Sequence, residues 1–139
     1  MTPLSMRPRT LHEVAARLAS GQQDFDPALR EFLDTFYANP DERERALARR
    51  PDALDDLRDA WLAAVAEHLA RSFHLPVPEW SETHGNKLRR PFFAGGLESL
   101  KAILFVESPA AFRRRMLFVS KNALSRPRLA EAGRRPEDE

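Results

Sequence analysis

The sequence contains no cysteine, only five glycines and one tyrosine in 139 residues, and no stretch of 18 residues free of charge. The missing cysteines exclude disulfides, thiolate metal sites and cysteine nucleophiles, and they fit a reducing cytosol. The missing apolar run excludes a membrane-spanning helix, and the arginine-bearing stretch from Met1 to Thr10 lacks the apolar core of a signal peptide. A cytoplasmic protein is the expectation. No Walker motif, dinucleotide fingerprint or Gly-x-Ser-x-Gly element occurs, and Gly95-Gly96 alone is a weak phosphate cradle. The four histidines are His12, His68, His74 and His84. Ala16 stands where a helical zinc site would need a second histidine after His12, and the six-residue gap between His68 and His74 does not stack two ligands on one helix face. Neither a metal nor another cofactor is expected. Glu67-His68 lacks a partnering serine element, so enzymatic chemistry through His68 or His84 is the least supported reading.

What is present is a hydrophobic content of 42% beside 31% charged residues, enough for one domain with a sizeable core. The abundance of alanine, arginine, proline and leucine points to a GC-rich bacterial genome. A formal net charge of +1 hides an asymmetry. Residues 1 to 70 carry 9 basic and 13 acidic side chains, whereas His84 to Arg128 carry 10 basic and 2 acidic ones. A basic block of that density fits an acidic partner, either a protein surface or a nucleic acid, although solvated charge is the plain alternative.

Along the chain, Thr10-Leu11-His12-Glu13 has the form of a capping box, and Gly21 closes the helix it opens. Asp26-Pro27 predicts the next helix start, with Leu29, Phe32, Leu33, Phe36 and Tyr37 on one core-facing stripe. A short exposed helix is expected after Asn39-Pro40, followed by the longest helix, from Pro51 to about Phe73, with Leu54, Leu57, Trp61, Val65, Leu69 and Phe73 inward. Its other face carries Asp55, Asp56, Asp59 and Glu67, either as the acidic complement of the basic block or as solvated charge. Leu75 to Trp80 should be extended, because a residue preceding proline is driven from the helical region. An irregular Pro-rich flap then runs to Gly96, and Leu97 to Val106 resumes a helix.

The densest segment is Ser108 to Ser120. Ser108-Pro109 predicts a helix start, Phe112, Leu117 and Phe118 should face a core, and Arg113, Arg114 and Arg115 should be left outside. Together with Lys87, Arg89, Arg90, Lys121 and Trp80 of the flap they form the predicted binding surface. Aromatic residues do not alternate with these cations as base-stacking platforms require, and no recognition helix is visible. Pro78-x-Trp80, Leu88 to Phe93, the leucine-rich helix, Ser108-Pro109-x-x-Phe112-Arg113-Arg114-Arg115 and Phe118-Val119 together resemble small uncharacterised bacterial proteins associated with nucleotidyltransferase-like toxins. The resemblance spans about residues 75 to 123, and it implies an antitoxin-like protein that binds a partner enzyme. The expectation is an all-α compact domain of five to six helices over residues 10 to 125, with the Pro-rich flap and room for one short strand near Met116 to Val119. A flexible stretch 1 to 9 and a disordered tail 126 to 139 would flank it. It is expected to be a non-enzymatic binding protein, with nucleic-acid binding through Lys87 to Arg128 as the alternative.

Overall fold

A computed structural model describes residues 7–83, 88–94 and 108–119. The expected helix over 97–106, the Gly95-Gly96 turn, His84, Lys87, Lys121 and the tail from 126 lie outside the described residues. The domain is all-α with one small strand pair, and among the described residues it has six α-helices. Helix α1 spans Leu11–Ser20 and begins in the expected capping box, with the Glu13 amide donating to Thr10 Oγ1 at 3.1 Å and the Thr10 amide to Glu13 Oε1 at 3.2 Å. Gly21 ends it in the left-handed region at φ 78°. Helix α2 spans Phe25–Ala38, and its N-cap position is Asp24, two residues before the predicted cap Asp26. Pro27 then falls inside the first turn, where its missing N–H costs no helical bond.

After a 3₁₀ turn over Pro40–Glu42, the short helix α3, Arg43–Ala48, buries little besides Ala46 and Leu47. Helix α4 spans Asp56–Ser72 and forms the centre of the fold. Its start lies later than Pro51 because Asp55 is the better cap: its carboxylate accepts from the Arg58 amide at 2.9 Å. The single apolar face expected for α4 is too narrow a description. Ala60, Leu62, Ala63, Ala64, Val65, Ala66, Leu69 and Ala70 are all buried, so the helix is enclosed over most of its circumference, and the alanines let neighbouring elements approach closely.

The chain leaves α4 through left-handed His74, and Leu75 N–H reaches back to the Ala70 carbonyl at 2.8 Å. The run from Leu75 is irregular only as far as Glu79. Trp80 opens the one-turn helix α5, Trp80–Thr83, because the Pro78 carbonyl accepts from both the amide and the hydroxyl of Ser81. Strand β1, Phe92–Phe93, pairs in parallel with β2, Leu117–Phe118, aligning Phe92 with Leu117 and Phe93 with Phe118. The predicted strand thus finds its partner within the Pro-rich flap, where the Phe93 and Phe118 rings stack at 4.9 Å. Between them, helix α6 spans Ala110–Arg113. Ser108 does not cap it; its buried hydroxyl instead accepts from the Val119 amide at 2.7 Å and donates to the Val119 carbonyl at 2.9 Å, tying the two ends of the segment together.

Candidate functional site: an arginine cluster on a buried glutamate

The segment from α6 to β2 lies against α4, and its apolar anchors occupy the predicted positions. Phe112, Leu117 and Phe118 are buried, and the Phe112 ring meets Trp61 edge-on at 6.0 Å. The arginines between these anchors divide. Arg113 is exposed and Arg114 half-exposed. Arg115 is 1% exposed and points into the fold, which corrects the expectation that all three would face outward. The physical reason is a partner: Arg115 Nη1 donates to Glu67 Oε1 at 2.6 Å and to the Ala111 carbonyl at 2.7 Å, while Nη2 donates to the Ser81 carbonyl at 2.8 Å. A buried charge persists only when it is paired and hydrogen-bonded, and here one guanidinium joins α4, α5 and α6.

Glu67, itself 3% exposed, is the centre of the cluster. Its Oε1 also accepts from Arg114 Nε at 2.8 Å, and its Oε2 accepts from Arg71 Nε at 2.8 Å. Burial by itself would raise the Glu67 carboxyl, but the hydrogen bonds from Arg115, Arg71 and Arg114 outweigh it and hold the group down to about 2. Arg114 is raised in turn, chiefly by its bond to Glu67. So Glu67 is the acidic complement of the basic block, while Asp55 caps the same helix and Asp59 accepts from the Leu54 amide just ahead of that cap. A carboxylate saturated by three guanidiniums makes a poor general base, and the neighbouring His68, lowered by burial, rests its ring against Phe112 at 6.2 Å. Among the described residues no three metal-ligating side chains converge.

The flap supplies the rest of the basic face. Leu88 N–H donates to the Arg115 carbonyl at 3.2 Å and Phe92 N–H to the Met116 carbonyl at 2.9 Å, so Arg89 and Arg90 run alongside the arginine turn. Both are exposed, and neither makes an ion pair among the described residues. Trp80 is excluded from that surface. It is 8% exposed, and its indole N–H donates to the Leu47 carbonyl at 2.9 Å, so it locks α5 to α3. Lys87 and Lys121 lie outside the described residues. A separate shallow cleft of about 530 Å³ opens beside Phe25, Trp61 and Phe92, with Asp24, Asp26 and Arg58 at its edge.

Sequence reasoning missed Arg71, and it left Glu67 open between the acidic complement of the basic block and solvated charge. Two signals were available: Glu67 and Arg71 stand four apart on one helix, and Glu67 follows the small apolar run Ala63-Ala64-Val65-Ala66, where an acid is costly unless paired. Arg43 was missed as well. It donates to the Phe36 and Tyr37 carbonyls at the end of α2 while its guanidinium lies 4.3 Å from the Phe73 ring centroid. Comparison of the chain with protein-family profiles, with curated proteins and with solved structures finds no match. Function is therefore read from geometry.

Proposed function

We propose that this chain is a non-enzymatic, antitoxin-like binding protein of the bacterial cytoplasm that docks an acidic surface of a partner protein through Arg89, Arg90, Arg113 and Arg114. The observation that carries the reading is the lateral pairing of the flap with the arginine turn. It runs the segment bearing Arg89 and Arg90 alongside the turn that follows Arg113 and Arg114, all four exposed, on a backbone fixed by hydrogen bonds. Ordering is thereby paid before association, which favours binding. Membership of the partner in the class of nucleotidyltransferase-like toxins rests on the sequence resemblance. Co-expression with the product of the adjacent gene tests it: a complex that co-elutes on size exclusion and is lost in the Arg89→Glu/Arg90→Glu variant is expected. A chain that elutes alone beside that product overturns it.

A nucleic-acid reading draws on the same exposed arginines, since two adjacent basic segments can follow a phosphate backbone. Against it, Phe92 and Phe93, the aromatic side chains of the flap among the described residues, are engaged with Trp61 and Phe118. Fluorescence anisotropy with duplex and single-stranded oligonucleotides at 50 and 200 mM salt decides it: absence of salt-dependent binding removes this reading.

A further inference from the structure

The cleft between the start of α2 and the first turns of α4 shares no residue with the cluster around Glu67. Three half-buried aromatic rings line it. Phe25 and Phe92 each stand steeply to the Trp61 indole, at 81° and 71° with ring centroids 6.2 and 5.7 Å away, so the walls lie in different planes. Asp24 and Asp26 border them, and both are exposed. Neither carboxylate makes a hydrogen bond or ion pair among the described residues, and Asp24, although it stands at the N-cap position, gives no side-chain cap. Arg58 is the cation of the described lining, and its guanidinium is already held by Asp55 at 2.9 Å. Two negative charges therefore stand uncompensated beside aromatic walls. Acids at a helix start ordinarily serve the helix dipole, but the dipole gives no reason for an aromatic cleft at their side.

We propose that this cleft is a second docking site, which takes an arginine side chain presented by a protein partner. A guanidinium is flat, weakly hydrated and permanently charged, so it can lie on an aromatic face while its N–H fork reaches a carboxylate. A lysine ammonium offers no plane to stack and holds its water more tightly. An apolar ligand would leave Asp24 and Asp26 without a counter-ion, and an anion would meet their repulsion. The site is opposite in sign to the arginine face, so it stands independently of the docking reading above.

The test follows the indole N–H signals of the intact chain by NMR during titration with a capped tripeptide that has arginine at its centre, and with the same peptide carrying lysine or the uncharged isostere citrulline. Saturable shifts of the Trp61 indole are expected with the arginine peptide, while the Trp80 indole, held on the Leu47 carbonyl, stays in place. The lysine peptide should bind severalfold more weakly, and the citrulline peptide about tenfold more weakly. Asp24→Asn/Asp26→Asn should lower the affinity for the arginine peptide about tenfold and leave the circular dichroism spectrum unchanged, since neither carboxylate holds a bond among the described residues. Equal binding of the citrulline peptide, or undiminished binding to the double variant, overturns the proposal. Free arginine bound more tightly than the capped peptide overturns it in favour of a small-molecule site. A Trp61 indole that ignores the arginine peptide also overturns it, and one that shifts with protein concentration alone does so in favour of a second copy of this chain.

Discussion

At the residue scale the most consequential side chain is Glu67. Replacing it with glutamine would leave Arg115 charged and buried without its counter-ion, the situation in which breaking a buried pair costs about 3–5 kcal/mol. Urea denaturation of Glu67→Gln should show that loss, and an undiminished midpoint would mean that Arg115 finds another acceptor. The double replacement Glu67→Leu/Arg115→Met should be far milder than either single change, because removing both charges also removes both desolvation costs. The pH dependence has a definite sign. An ordinary glutamate titrates near 4.5, and Glu67 is held down to about 2, so its contribution is complete above about 4.5 and is lost as pH falls toward 2. The shift corresponds to roughly 3 kcal/mol. Denaturation midpoints measured across that window should fall in the wild type, and the component due to Glu67 should be absent from Glu67→Gln.

Among the elements, the end of α4 and the clamp on the α6 to β2 segment give separate tests. His74 occupies the left-handed position of the helix terminus at φ 58°, where an L side chain is disfavoured, and it is exposed. His74→Gly should therefore stabilise the protein by about 0.5–1 kcal/mol, seen as a higher thermal midpoint. A lower midpoint would show that the imidazole makes a contact worth more than the strain. Ser108→Ala removes both bonds to Val119 from a buried site and should cost about 1–3 kcal/mol. Hydrogen exchange at the Val119 amide should accelerate more than at the amides of α1, since the clamp closes this segment alone. Met116 stands in the left-handed region at φ 67° where this segment passes from the buried Arg115 into β2.

For the whole molecule, the acidic first half and the basic second half meet at Glu67, which takes Arg71, Arg114 and Arg115. The remaining exposed arginines predict that charge reversal at Arg89 and Arg90 changes stability by no more than about 0.5 kcal/mol while it weakens partner binding and flattens its salt dependence. Titration of the complex against salt, read beside thermal unfolding of the free chain, separates the two effects. Much of this architecture was legible in order of residues. Thr10 and Glu13 announced α1, the stripe Leu29 to Tyr37 announced α2, and Phe112, Leu117 and Phe118 announced their own burial, because capping and apolar periodicity are local and survive without knowledge of the neighbours. The partner of the short strand, the enclosure of α4 and the inward turn of Arg115 were not legible. Each depends on a contact between residues far apart in sequence: Phe92 with Leu117, the alanines of α4 with the elements around them, and Arg115 with Glu67. Sequence alone determined an all-α domain with a basic second half. Only the tertiary structure decided which arginines hold the fold and which remain outside, because the fate of a charge depends on whether a counter-charge waits where the chain buries it.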